Sequence, residues 1–456
     1  MPVATTSERR LIAGHAGTVL VGQLAVMAFG VTDTIVAGRY AEGALAALSV
    51  GSAIFISVFV SLLGVVQALL PVWAELHGAR RTAEVGRSVR QSLYVCALAI
   101  AVGMAVLLMP GALLRWTEVP ALMRGDVERY LAILAFALPP ALLFRVFGTL
   151  NQSLGKPRLV TWLQLGALAV KLPLSVWLTF GGAGVPALGL AGCGWATLVV
   201  NWAMLACAVV VLRREPSYAT YDLWRRIEPP DRRALAQFAR LGVPAGLAVL
   251  VEVTSFTLMA LFIARLGTVA SAAHQIASNL TAVAYMFPLS LAIATSARVS
   301  FWLGANDDAR ARLACRRGLE LTLLCALVWA AAMAALRWPL AGVYSERPAV
   351  VAMAATLLLA TALYHLADAV QTLCVFVLRC YRITVVPLIL YCGLLWGVGL
   401  GGSYLLAYRG LGPWEAMRSP LAFWFMSALA LAATALLFAA LLWRTLRRPR
   451  RPVRRR

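Results

Sequence analysis

Twelve apolar runs, each about the length a helix needs to cross 30 Å of hydrocarbon, dominate this chain of 456 residues. They fall at roughly 14–38, 46–72, 91–113, 130–153, 159–180, 188–212, 238–264, 272–301, 317–340, 350–378, 383–408 and 419–443. A backbone in hydrocarbon must satisfy its own hydrogen bonds, which leaves helices as the form such long runs can take. The expectation is an all-α polytopic membrane protein with twelve transmembrane helices. Composition agrees: 61% of residues are hydrophobic and 13% charged, against about a quarter charged in soluble domains.

The net charge of +22 comes almost entirely from arginine. Nucleic acid is one partner for such a chain, but the arginines sit in short connectors and in the terminal LRRPRRPVRRR, so no nucleic-acid partner is expected. With the N-terminus in the cytoplasm, about three times as many Lys and Arg fall on the inner face as on the outer, the positive-inside pattern. Both termini are therefore expected in the cytoplasm and the chain in the cell (inner) membrane, in contact with the lipid bilayer. The opening MPVATTSERRLIAGHAG lacks a small-residue cleavage pattern, so the first run is read as an uncleaved anchor.

The longest polar connector, LRREPSYATYDLWRRIEPPDRR, splits the runs six and six. RYAEGALAALS from Arg39 aligns with RLGTVASAAHQ from Arg265, an offset of 226, and the same offset aligns HGARR at His77 with LGAND at Leu303. A doubled unit is the common construction of secondary transporters. An even number of spans per copy makes the copies parallel, so two six-helix bundles are expected, related by a pseudo-twofold axis along the membrane normal. The expected organisation is a cytoplasmic N-terminus at 1–13, an N-lobe at 14–213, a linker at 214–236, a C-lobe at 237–446 and a basic tail at 447–456.

A charge at mid-bilayer costs about 2.5–3.5 kcal/mol on insertion scales, so an ionisable residue inside a span normally faces a partner, a cavity or an ion path. Three carboxylates lie well inside spans: Asp33, Glu252 and Asp368. Tyr364, Asp368 and Thr372 repeat every four residues, with Gln371 three after the acid and His365 flanking. Gln275 and Asn279 are likewise four apart. Lys171 shares a helical face with Gln164 and Ser175. Interhelical hydrogen bonding explains such polar residues singly; three acids together point to ion exchange. Arg145 and Arg298 lie near span ends, where snorkelling accounts for them.

Catalytic signatures are absent. There is no GxxxxGK[ST] to bind nucleotide phosphates, and GVGLGG at 397–402 follows no strand. Gly393, Gly397 and Gly401, every four residues, suit close helix packing instead. The eight cysteines form no CxxC pair and the four histidines no HExxH. No enzyme activity and no cofactor are expected.

GVTDTIVAGRYAEGALAALSVG, PALGLAGCGWAT, ARLGTVASAAHQIASNL, PLSLAIATSARVSFWLGA and the residues around Asp368 together resemble the multidrug and toxic compound extrusion (MATE) transporters, in particular the bacterial NorM-type branch. The resemblance covers essentially the whole chain. It implies two lobes around a central cavity and export of organic, often cationic, compounds against inward H⁺ or Na⁺. The family's acids of the first, seventh and tenth helices match Asp33, Glu252 and Asp368. Tyr364 matches a polar position one turn before the last acid, and Gln275 a cavity glutamine. The substrate-cavity candidates are Gln275, Asn279, Gln371, Ser175 and Gln23; the coupling candidates are Asp33, Glu252, Asp368, Tyr364 and Lys171. Na⁺ is possible at Glu252 and Asp368, with H⁺ the preferred coupling ion and a monomer the expected state. There is one departure. Where the family carries two asparagines in the fifth helix, this chain reads KLPLS, with Lys171 and Ser175 at those positions. An ammonium near Asp33 would fill the place of a Na⁺ and oppose it by charge. The alternative reading, a lipid-linked oligosaccharide flippase, would use Lys171 and Arg145 to hold pyrophosphate, and three intramembrane acids argue against it. A non-transporting membrane scaffold or receptor, with the acids purely structural, is the other alternative.

Overall fold

The computed structural model describes residues 5–111, 114, 120–182, 184–410 and 415–447, so the basic tail lies outside the described residues beyond Arg447. Among the described residues, twelve helices are long and apolar enough to cross a membrane. They are α1 (Glu8–Tyr40), α2 (Glu42–Gly78), α3 (Thr82–Leu108), α4 (Met123–Ser153), α5 (Pro157–Phe180), α6 (Leu190–Arg214), α7 (Arg232–Ala264), α8 (Thr268–Gly304), α9 (Asp308–Ala335), α10 (Pro348–Cys380), α11 (Val385–Arg409) and α12 (Pro420–Arg447). Each covers one of the apolar runs. The chain is a multi-pass membrane protein. Its bare surface carries Trp162, Leu436 and Leu98 at 67–73% exposure, which water would penalise and lipid does not.

Local sequence explains the boundaries. Pro157 and Pro348 sit in the first turns of α5 and α10, where a missing N–H costs nothing. Pro71 interrupts α2 after Gln67, because its ring clashes with the carbonyl four residues earlier. The internal repeat reappears as backbone geometry. Arg80, between α2 and α3, and Asn306, between α8 and α9, are aligned by the 226-residue offset, and both have φ 58°. A left-handed non-glycine residue is uncommon, so sharing it marks one turn used twice.

The chain packs as two compact units, Gly17–Val249 and Met1–Ala16 with Leu250–Arg456. The divisions fall inside α1 and α7, and the polar linker belongs wholly to the first of these units. Within it α4 is the central helix, packed on α2, α3 and α6, with Leu131, Leu134, Leu138 and Leu142 sealed in the core. In the other unit α10 takes that part, packed on α8, α9 and α12, with Leu357, Leu358, Ala369 and Leu373 sealed.

The linker is strapped to α3. Arg90 pairs bidentately with Glu228, its Nε 2.9 Å from Oε2, and also donates to the Asp222 carbonyl. Gln91 donates to the Pro229 carbonyl (3.0 Å) and accepts from the Asp231 N–H (2.9 Å), and Tyr94 donates to the Glu228 carbonyl (3.0 Å).

Two expectations change. Arg298 has a partner for its head group: its Nε donates to Glu8 Oε2 at 3.1 Å beside the Trp302 indole, which donates to Glu8 Oε1 at 3.0 Å. The glycines of α11 do not act every four residues either. Cys392–Gly401 and Leu405–Arg409 are π-helical, and the wider turn rotates the packing face. A Cβ on Gly393 or Gly397 would meet nothing within 4 Å, whereas Gly402 lies against Met426 and Gly399 against Ala430 of α12.

Candidate functional site

The three intramembrane acids have different surroundings. Asp33 of α1 is 7% exposed and is paired with Lys171 of α5, which is fully buried. Lys171 Nζ lies 2.6 Å from Asp33 Oδ1, 2.7 Å from Thr197 Oγ1 and 3.2 Å from the Cys193 carbonyl. Three acceptors for three N–H donors satisfy the ammonium completely. Ser175 Oγ, one turn after Lys171, donates to the same Asp33 oxygen at 3.3 Å. Periodicity places this: residues 171 and 175 share a face of α5, and residues 193 and 197 share a face of α6. Gln164 is buried with Lys171 and Ser175, as their common face required.

Asp368 of α10 has no such cation. Among the described residues neither it nor Glu252 forms a salt bridge. Asp368 is sealed and accepts from Gln371 Nε2 at 2.8 Å, and the same nitrogen lies 3.2 Å from the Thr372 hydroxyl. Gln371 in turn accepts from the Tyr391 hydroxyl of α11. Glu252 of α7 is near enough for the two carboxylates to repel each other, and both act on Tyr285, Tyr364 and Tyr391. Arg379, buried three turns further along α10, attracts Glu252 without reaching ion-pair distance. Its Cζ lies 4.4 Å from the centre of the Phe376 ring.

Glu252 opens on a cavity of about 30 Å³ walled by Ser255, Phe256, Met259, Tyr364, Ser403 and Ser427, among others. That is room for one or two waters or a small ion, not for an organic compound. Phe256, Tyr364 and Trp424 meet there edge to face at centroid distances of 5.7–6.2 Å. The Trp424 Nε1 is buried and unpartnered, and so is the Ser255 hydroxyl that faces the cavity. Carboxylate and hydroxyl oxygens around a small void are what a proton carrier or a hard cation uses.

The structure thus brings Glu252, Tyr364, Asp368 and Gln371 into one cluster and Asp33, Lys171 and Ser175 into another. Gln371 and Ser175, expected on a substrate wall, are sealed against the acids and brace them. Gln275 and Asn279 are exposed on α8 and hydrogen-bonded to each other at 3.2 Å. Gln23 is partly buried on α1 and joins neither cluster. Sequence reasoning missed Tyr285, Tyr391 and Arg379. Tyrosine in an apolar run carries no charge signal, and Arg379 at a span end counts as a cytoplasmic cation; helical phase with Asp368 and Thr372 was the one available hint.

Comparison with known proteins bears on the family and the fold. The MatE family model matches residues 19–177 and 244–405, two stretches starting 225 residues apart. The chain is 38% identical over 98% of its length to a protein of Aromatoleum aromaticum named "Probable multidrug resistance protein NorM", covering 97% of that protein. It is 34% identical over 95% of its length to the Pseudomonas aeruginosa "Multidrug resistance protein PmpM", covering 91% of it. The bent form of the Vibrio cholerae MATE transporter VcmN superposes with a TM-score of 0.84 at 18% identity, over 97% of this chain and 98% of that one. With its family model matched in both halves and relatives of this identity along nearly its whole length, the chain belongs to the MatE family of membrane transporters.

Proposed function

We propose that this protein is a secondary multidrug exporter of the cell inner membrane. It exchanges organic, chiefly cationic amphipathic compounds for H⁺ through Glu252 and Asp368, by alternating access. The observation that carries the reading is the contrast between the acid sites: among the described residues neither Glu252, which opens on a water-sized void, nor the sealed Asp368 has a salt bridge, whereas Asp33 has a built-in one. The names of the NorM and PmpM relatives support drug compounds as cargo.

The mechanism follows from charge compensation. Two carboxylates in a low-dielectric interior repel each other, and water is too scarce there to screen them. A proton, a Na⁺ or an organic cation relieves the repulsion, and these compete because each offers the same positive charge. If the protein changes access only when the pair is compensated, an incoming ion must replace the outgoing compound. Gln371, held by Tyr391, fixes the Asp368 carboxylate. The void beside Glu252 is too small for the compound itself, so competition acts through charge. Of the two cations the flippase alternative would use, Lys171 is already paired with Asp33 and Arg145 lies 5.9 Å from the centre of the Phe59 ring; the three intramembrane acids weigh against a pyrophosphate site.

The test is uptake of a fluorescent lipophilic cation into inverted membrane vesicles, with a pH gradient and a Na⁺ gradient imposed separately. Uptake driven by the pH gradient alone supports H⁺ exchange. Uptake driven only by Na⁺ reassigns the ion while keeping the site. Uptake driven by neither overturns the reading.

A further inference from the structure

We propose that Lys171 is a tethered counter-cation which permanently occupies the acid site of the Gly17–Val249 unit, making it the residue that restricts ion exchange to Glu252 and Asp368. This rests on the reading above that those two acids carry the exchanged ion.

Three observations carry it. First, Lys171 is fully buried, and its three donors have three acceptors contributed by α1 and α6: the Asp33 carboxylate, the Thr197 hydroxyl and the Cys193 carbonyl. An ammonium with every donor used has no electrostatic reason to leave. Second, those acceptors are the oxygens that a small cation at Asp33 would need, since Ser175 and Thr197 are the other polar groups on the carboxylate. An ion arriving there would have to displace Lys171 or sit beside a like charge in low dielectric. Third, neither Glu252 nor Asp368 has a lysine or arginine at ion-pair distance among the described residues. Of the three intramembrane acids, the chain has internally neutralised one and left two for exchange. Tyr130 of α4 and Cys193 of α6, both buried, are neighbours of the pair, and neither is a cation that could compete for the Asp33 carboxylate.

The consequence is a gain of function on removing the lysine. Lys171→Gln frees a carboxylate lined with hydroxyls, so the purified variant is expected to melt at a higher temperature in Na⁺ or Li⁺ than in choline. That difference should vanish in Asp33→Asn/Lys171→Gln. A pair serving only to hold helices together would lose stability in Lys171→Gln without acquiring a cation response. The double variant removes both charges together and is expected to keep gradient-driven uptake within about threefold of the parent, because the pair is outside the exchange. A folded double variant whose uptake falls more than about tenfold overturns the proposal.

Should the double variant fail to fold, the parent protein gives the answer through a membrane-permeant carbodiimide, which modifies protonated buried carboxyls. Peptide mass spectrometry is expected to find Asp33 unmodified at every pH from 5 to 8, on the order of the range where an exchanging acid titrates; a modified Asp33 overturns the proposal. Asp368→Asn is measured in parallel. If it retains uptake, the reading of Glu252 and Asp368 fails regardless of Lys171. If it abolishes uptake and the folded double variant does too, the Lys171 proposal alone fails.

Discussion

Gln371 shows how much a single side chain contributes to the candidate site. Its amide nitrogen donates to Asp368 while its oxygen accepts from Tyr391, so the carboxylate is oriented from a neighbouring helix through one residue. Gln371→Leu keeps the volume and removes the bond. The expected outcome is a ten- to hundredfold slower gradient-driven uptake, equivalent to about 1.5–3 kcal/mol for a hydrogen bond to a charged group, read from initial rates normalised to protein in the vesicles. Asp33→Asn acts differently: it strands the Lys171 charge in the interior, which costs about 3–5 kcal/mol, and is expected to lower the melting midpoint sharply. Restoring neutrality with Lys171→Gln in the same chain should recover most of that loss. The acids and Lys171 were legible in the sequence because a charge within an apolar run is expensive enough to need a reason. Tyr285, Tyr391 and the Glu8 partner of Arg298 were not, since tyrosine is cheap in such a run and a partner 290 residues away leaves no local trace.

Among the elements, α6 sets the geometry around Lys171 through Gly192. A Cβ there would meet the backbone of Leu178 and Thr179 at 2.6 Å, and backbone cannot swing aside. Gly192→Ala is expected to push α6 from α5, withdraw the Cys193 carbonyl from Lys171 and destabilise by about 1–3 kcal/mol, seen as a lower melting midpoint. Gly393→Ala, with open space around it, is the matched control and should melt like the parent. The glycine spacing was visible in the sequence but its meaning was not, because a uniformly apolar run does not reveal whether its turns are α or π. The linker carries a pH prediction. Its hydrogen bonds from Arg90 hold the Glu228 carboxyl at about 2, below the ordinary 4.5. A depressed carboxyl stabilises the docked linker fully above its free value and loses that contribution as pH falls through the bound one. Protease resistance of the linker in vesicles should therefore be constant from neutral pH down to about 4.5 and decline below it. Arg90→Gln should show reduced resistance throughout.

On the scale of the whole molecule, hydropathy alone gave the twelve spans, because lipid permits so few ways to satisfy a backbone. The repeat was legible through short motifs, and the shared left-handed turn at Arg80 and Asn306 shows what those motifs encode. The division into packed units was harder to see. Polar composition at 214–236 reports where the chain leaves the membrane, while packing divides inside α1 and α7. The central claim is that Asp368, with Glu252, exchanges its charge compensation between an incoming ion and an exported compound. Its most direct test is uptake of a fluorescent lipophilic cation into inverted vesicles under an imposed pH gradient, comparing the parent with Asp368→Asn at matched protein levels. The account predicts that the substitution reduces uptake by at least about tenfold while the protein stays folded in the membrane. Undiminished uptake by Asp368→Asn would contradict it.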